Sequence, residues 1–219
     1  MLCMAGGEWL GIINHIEKNE KMKNNRYYTA LTFWTMGEKY WKLSLAVSAR
    51  IARTGNEFFV TSDKPITWRQ YDTKTKWNDA NMGIPLLFDF YHGIELMLKG
   101  FALLSPENSS KLDHGITQLY RNFKGYYPNQ IKLIDLFSKY LDKSQMPDLL
   151  QDFLKHNRLS VDRFYESLRY PYNRNLSQEY QHSVLKYRGG EGSDFYRALN
   201  KDIEAMLKLV VALGRSLEK

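Results

Sequence analysis

Residues 84–101 carry a dense series of apolar side chains, and this segment constrains the fold more than any other part of the sequence. The apolar residues fall on nearly every side of a helix instead of on one stripe, which is typical of a helix surrounded by other helices. Asp79 or Asn81 is expected to cap the start of this helix, and Ser105-Pro106 is expected to end it. The segment therefore predicts the central member of a helical bundle.

Amphipathic patterns on both sides of this segment predict the other helices. Residues 26–53 are compatible with one long helix, and the last helix is expected to begin at Ser193, which would cap it. Shorter helices are expected at about residues 114–123, 128–141, 147–157 and 160–170. Gly93 and Gly100 are seven residues apart on the central segment, and their common side would let a neighbouring helix approach closely.

One stretch departs from the helical pattern. Near residues 57–70, two short β-compatible runs flank Asp63-Lys64-Pro65 and predict a short β-hairpin outside the bundle. The overall prediction is an all-α chain with a single helical domain over residues 26–219. A loosely ordered lead-in is expected over residues 1–25.

Composition narrows the classes of function. The single cysteine, Cys3, excludes an internal disulfide and a cysteine-based zinc site, and no histidine pair has the spacing of metal ligands. Neither a metal nor another cofactor is expected. No apolar run reaches the ~20 residues of a membrane helix, and the first residues lack the basic segment of a signal peptide, so a cytoplasmic location is expected. The formal net charge of +7 is compatible with a polyanionic partner.

A few polar residues interrupt the apolar helix, and they share one side. Asp89, His92, Glu95 and Lys99 follow one another at steps of three, three and four residues. Glu95 and Lys99 have the order that favours an ion pair within a helix. Either this polar stripe is partly exposed and satisfied by its own pairs, or it lines a cleft inside the bundle. His114 is expected near a helix start, where a structural role is the more common one.

The densest basic stretch follows in the second half of the chain, where arginines alternate with aromatic residues. The candidates for RNA or nucleotide binding are Lys155, Arg163, Arg169, Tyr170 and Arg174. Phosphate contacts combined with aromatic stacking are how proteins hold single-stranded RNA. Acidic neighbours within the same stretch neutralise part of its charge, so a solvated helix face is the alternative interpretation.

Three segments, taken in order, resemble the HEPN family (higher eukaryotes and prokaryotes nucleotide-binding). They are residues 91–100 (YHGIELMLKG), residues 112–119 (LDHGITQL) and residues 168–171 (LRYP). The resemblance covers about residues 80–219. It implies a bundle of helices, often a homodimer, that associates with nucleotides or RNA. It also implies a role in a defence or toxin–antitoxin system, with a partner protein.

Many members of that family are metal-independent ribonucleases that use an arginine and a histidine. The nearest pair in this sequence is Arg174 and His182, but seven residues intervene, more than the family's motif contains. A histidine can accept the proton of a ribose 2′-hydroxyl near neutral pH, and an arginine can hold the phosphate. The alternative is a solvated loop that contains both residues. We therefore consider an RNA- or nucleotide-binding module, a ribonuclease of the same fold and a structural helical interaction protein.

Overall fold

The protein is described by a computed structural model for residues 25–105 and 115–218. Those residues form eight α-helices and one 3-10 helix, with no β-strand among them. The α-helices are α1 (Asn25–Arg53), α2 (Trp68–Thr75), α3 (Asp79–Leu103), α4 (Ile116–Tyr126), α5 (Ile131–Leu141), α6 (Asp148–Asn157), α7 (Val161–Ser167) and α8 (Gly189–Ser216); the 3-10 helix is His182–Leu185. For the described residues, the prediction of an all-α fold is confirmed. In this part of the chain, no helix is both long and apolar enough to cross a membrane.

The three long helices α1, α3 and α8 form the framework of the bundle. Helix α1 packs against both of the others. It runs antiparallel to α8, because Tyr27 at its start donates a hydrogen bond to the carbonyl of Gly214 near the end of α8 (3.2 Å). Further along, Asn200 of α8 donates to the carbonyl of Leu45 (2.8 Å). These two hydrogen bonds hold the two longest helices in one register.

The predicted close approach to Gly93 and Gly100 is confirmed, and tryptophans of α1 occupy it. The indole of Trp41 lies over Gly93 and that of Trp34 lies over Gly100. Each indole also donates its N–H to a carbonyl of α3: Trp41 to Phe90 (3.1 Å) and Trp34 to Met97 (3.2 Å). Both rings are fully buried. Glycine is required at these two positions because the indoles fill the space that a Cβ would occupy.

Helix α3 lies at the centre of the fold, as its apolar pattern predicts. It contacts α1, α4, α7, α8 and the 3-10 helix, and Ile94 at its middle is fully buried. Its start is fixed by Asn78, whose side chain accepts a hydrogen bond from the backbone N–H of Asn81 (3.0 Å). The cap is therefore Asn78, one residue before Asp79, the first of the two predicted caps.

Asp79 joins three parts of the chain at the start of α3. Its carboxylate is fully buried and accepts hydrogen bonds from the backbone N–H groups of Tyr187 (2.7 Å) and Arg188 (2.9 Å). It also accepts from the side-chain amide of Asn56 (2.7 Å), whose oxygen in turn accepts from the N–H of Asp79 (2.6 Å). A buried carboxylate is tolerated only when such donors surround it. The cluster ties the end of α1 and the start of α8 to α3.

The predicted β-hairpin near residues 57–70 is wrong. Residues 57–67 have no regular secondary structure, and Trp68 begins helix α2. The two β-compatible runs are short, and Pro65 has no N–H to donate to a ladder. Thr67 and Gln70 instead form a capping box, which favours a helix from Trp68 onward.

The expected start of the last helix is also wrong. Helix α8 begins at Gly189, four residues before Ser193, and Ser193 is buried within its first turns. The Ser193 hydroxyl faces the carbonyl of Ala52 in α1 (3.5 Å) instead of capping α8. Since Asp79 holds the N–H groups of Tyr187 and Arg188, this tertiary contact decides where the helix can begin.

Candidate functional site

Helix α7 places a row of charged side chains on the surface of the bundle. Ser160 caps the helix as predicted and accepts a hydrogen bond from the N–H of Arg163 (3.3 Å). Phe164 and Tyr165 are buried against the core. Because residues three apart share one side of a helix, burying this pair leaves Arg163 and Glu166 exposed.

The chain after α7 folds back in a compact loop that presents further arginine and tyrosine side chains. The N–H of Tyr180 donates to the carbonyl of Pro171 (2.8 Å), and the N–H of Asn173 donates to the carbonyl of Gln178 (2.9 Å). The loop is thus closed by its own backbone, although it has no helix or strand. Tyr170 and Arg174 are exposed.

Two neighbouring cavities open on this surface. One has a volume of about 460 Å³ and is lined by Arg163, Glu166, Asn173, Arg174, Asn175 and Tyr180. The other has a volume of about 570 Å³, and its lining includes Arg169, Tyr170, Pro171 and Tyr172. Glu166, Asn173 and Arg174 line both cavities. We call Arg163, Arg169, Tyr170, Tyr172 and Arg174 the arginine–tyrosine surface.

The polar stripe of α3 meets the arginine–tyrosine surface through Tyr165. One oxygen of Glu95 accepts from the hydroxyl of Tyr165 (2.9 Å), and the other pairs with Lys99 (2.9 Å). His92 lies 3.3 Å from Glu95 and 2.7 Å from the Tyr165 hydroxyl. Arg169 donates to the same hydroxyl (2.6 Å). Three members of the stripe, His92, Glu95 and Lys99, are therefore half-buried and paired with one another and with α7.

Ionisation of Glu95 is favoured by these donors. Burial alone would raise the pKa of this carboxyl, but hydrogen bonds from His92, Lys99 and Tyr165 outweigh burial and lower the pKa to about 2. Burial and the negative charge of Glu95 raise the pKa of the Tyr165 hydroxyl. At neutral pH the carboxylate is charged, and the phenol keeps its hydrogen.

These protonation states assign the hydrogens of the cluster. An ionised carboxylate only accepts, so the hydrogen of the Tyr165 hydroxyl must point to Glu95. The hydroxyl oxygen then accepts from Arg169 and from Nδ1 of His92, which uses both of its lone pairs. Nδ1 of His92 therefore carries a hydrogen.

Aromatic packing completes the cluster. The guanidinium of Arg169 lies over the ring of Tyr165 (4.5 Å to the centroid) and that of Phe88 (5.7 Å). His92 is parallel to Phe88, with ring centroids 5.8 Å apart. The rings of His92 and of Tyr40 in α1 are nearly perpendicular, with centroids 4.6 Å apart. These contacts restrict the orientations of the imidazole and the guanidinium.

The structure brings together most, but not all, of the residues that the sequence nominates. Arg163 and Arg174 line one cavity, and Arg169, Tyr170 and Arg174 line the other. Lys155 is exposed on α6 and does not line either cavity. His114 lies outside the described residues.

His182 has a structural environment. Its Nε2 donates to the carbonyl of Ser167 (2.9 Å), and its ring stacks on Phe153. Burial lowers the pKa of this histidine. In the described parts of the chain, no hydrogen bond or ion pair joins His182 to Arg174.

The sequence did not indicate how Arg169 is held. It places Tyr165 on the inner side of its helix and among the aromatic residues of the basic stretch, and Phe88 in the apolar central segment, but it does not predict their contacts with Arg169. The four-residue step from Tyr165 to Arg169 was a usable signal, because residues at this spacing are neighbours on a helix.

Between residues 25 and 218, leaving out 106–114, no group of three or more His, Cys, Asp or Glu side chains could hold a metal ion. No family model, curated protein or solved structure matches the chain.

Proposed function

We propose that the protein binds single-stranded RNA or a nucleotide through the arginine–tyrosine surface. The observation that carries this proposal is the pair of adjacent cavities that share Arg174. One cavity adds the exposed ring of Tyr170, and the other adds Arg163. Arginine binds phosphate oxygens through two donors, and an exposed tyrosine ring stacks on a base.

The acidic residue between the two cavities limits how a ligand can lie. Glu166 lines both cavities and would repel a phosphate group. It can instead accept a hydrogen bond from the amino group of a base. We infer that phosphates lie on the side of Arg174 and that a base faces Glu166. A duplex buries the Watson–Crick edges and the faces of its bases, which favours a single-stranded ligand.

The resemblance to the HEPN family supports the same proposal. It adds the expectations of a HEPN-type bundle, a homodimer, a cytoplasmic location and a partner protein in a defence or toxin–antitoxin system. These expectations rest on the three sequence segments and on composition, and they stay predictions.

The binding proposal is tested with a fluorescently labelled single-stranded RNA and an anisotropy titration at several salt concentrations. Replacing Arg174 by Gln should weaken binding about five- to tenfold. It should also reduce the slope of log affinity against log salt concentration by about 0.7, the value for one phosphate contact on a single strand. Lys132→Gln removes the same charge from an exposed position on α5 and should change neither quantity. Lys155→Gln shows whether the surface extends to α6.

Equal effects of Arg174→Gln and Lys132→Gln would contradict the proposal, because they would indicate attraction by net charge alone. If neither RNA nor any nucleotide raises the melting temperature, the third hypothesis, a structural interaction protein, is favoured.

Metal-independent RNA cleavage is a second candidate, and one observation favours a different residue pair from Arg174 and His182. Arg169 and His92 bond to the same hydroxyl. An imidazole held in this way beside a phosphate-binding arginine has the groups for general base catalysis. Labelled RNA incubated in EDTA with wild type, His92→Ala and His182→Ala decides the question. Loss of cleavage in one variant alone identifies the base, and no cleavage by folded wild type rejects the candidate.

A further inference from the structure

Arg169 differs from other arginines of the protein in the partner that holds it. Arg197 pairs directly with Asp194, and Arg188 pairs directly with Asp152 and Glu191. Arg169 donates instead to a neutral hydroxyl, that of Tyr165, at 2.6 Å. A carboxylate in direct contact would occupy the donors of the guanidinium, whereas the hydroxyl holds it in place and keeps the Glu95 carboxylate, whose charge also acts on Arg169, one hydrogen bond further away.

The hydroxyl that holds Arg169 is itself fixed. The ring of Tyr165 is buried (8% exposed), and its hydroxyl donates to the ionised carboxylate of Glu95 on the central helix. Lys99 holds the other oxygen of that carboxylate at 2.9 Å. Because α3 contacts α1, α4, α7, α8 and the 3-10 helix, these hydrogen bonds join the surface arginine to the central helix of the bundle.

Among the described residues, the guanidinium keeps free donors in this position. It has five N–H groups, and the bond to Tyr165 uses one of them. Its plane is restricted by the rings of Tyr165 and Phe88. The arginine also lines the cavity that contains Tyr170 and Arg174. A donor that is already ordered loses less conformational entropy when it binds, so it contributes more to affinity than a mobile one.

We propose that Tyr165, anchored by Glu95, is a positioning residue that fixes Arg169 as a phosphate-binding group of the arginine–tyrosine surface. The inference rests on the proposed function, since it assigns how one cation of that surface is held. The phosphate would lie beside a base stacked on Tyr170, the residue that follows Arg169.

A double-mutant cycle tests the inference with the labelled single-stranded RNA. Tyr165→Phe removes only the hydroxyl and should weaken binding about two- to tenfold, because a mobile Arg169 side chain would then have to be ordered when the RNA binds. Arg169→Gln should weaken binding at least as much. In the Arg169→Gln background, Tyr165→Phe should have no further effect, because the hydroxyl then has no arginine to position.

The matched control is Tyr127→Phe. It also removes a half-buried hydroxyl, one that donates to the carbonyl of Phe101 (3.0 Å) away from the arginine–tyrosine surface. This variant should leave RNA affinity unchanged. Glu95→Gln is the second variant if Tyr165→Phe does not fold, and its effect on affinity should also disappear in the Arg169→Gln background.

The outcomes separate the inference from the function on which it rests. If wild-type protein does not bind RNA or nucleotides, the proposed function fails. If Arg174→Gln weakens binding and Arg169→Gln does not, the function stands and the inference is overturned. If Tyr165→Phe and Arg169→Gln act additively, or if Tyr127→Phe weakens binding equally, the hydroxyl has only a general structural role and the inference is again overturned.

Discussion

Gly100 provides a direct test of the close packing between α1 and α3. A Cβ at this position would lie 2.6 Å from Cδ1 and 3.0 Å from Cε2 of the Trp34 indole, and closer still to Nε1. Trp34 is fully buried and cannot swing into solvent. In Gly100→Ala, the indole must therefore move, and its hydrogen bond to the carbonyl of Met97 is strained or lost.

The expected cost is the sum of opposing effects. Overpacking of a core costs about 1–3 kcal/mol, and loss of a buried hydrogen bond costs about 1 kcal/mol more. Alanine gains about 1 kcal/mol over glycine from its higher helix propensity. The net free energy of unfolding should fall by about 1–3 kcal/mol, which for a chain of this size lowers the melting temperature by roughly 3–10 °C.

Gly125→Ala is the control for this experiment. Gly125 is an exposed residue of α4, and nothing lies within 4 Å of a Cβ built there. This variant should melt at or slightly above the wild-type temperature, since only the gain in helix propensity applies. Thermal unfolding followed by circular dichroism measures both variants. If Gly100→Ala melts as high as Gly125→Ala, the tryptophan does not occupy the space above Gly100 and the reasoning is refuted.

Three further predictions concern buried or half-buried ionisable groups. Asp79→Asn should lower the free energy of unfolding by about 2–4 kcal/mol, because an amide cannot accept from Asn56, Tyr187 and Arg188 together. A urea midpoint equal to that of wild type would contradict this prediction. Glu95→Gln should be less stable than wild type at pH 7, and the difference should shrink between about pH 4.5 and pH 2, because a lowered carboxyl pKa stabilises the fold only above that range. A difference in urea midpoints that is constant across this range would show that the charge of Glu95 contributes nothing. The pKa of His182 should lie below its ordinary value of 6.5, because burial disfavours the charged form. The folded protein should therefore lose stability as the pH falls below 6.5. An NMR titration midpoint above 6.5 would rule this out.

Local patterns in the sequence were sufficient for most of the helices. The all-round apolar character of residues 84–101 correctly indicated the central helix, and Ser160 correctly marked the start of α7. Gly93 and Gly100 indicated close approach, although the pattern did not say that tryptophans would fill the space. The ion pair of Glu95 and Lys99 also followed from spacing alone. These features depend on residues within one or two helical turns, whose relative positions the helix itself determines.

Contacts between distant parts of the chain decided the rest. Tyr165 is 70 residues from Glu95 in sequence, and only the packing of α7 against α3 brings its hydroxyl to the carboxylate. Asp79 decides where α8 begins by binding backbone N–H groups 108 and 109 residues away. Periodicity indicates which side of a helix is buried, but it does not indicate which neighbour covers that side or which polar groups the neighbour brings. For that reason, the sequence nominated the arginines of the surface, whereas only the tertiary structure shows which of them share a cavity and how Arg169 is held.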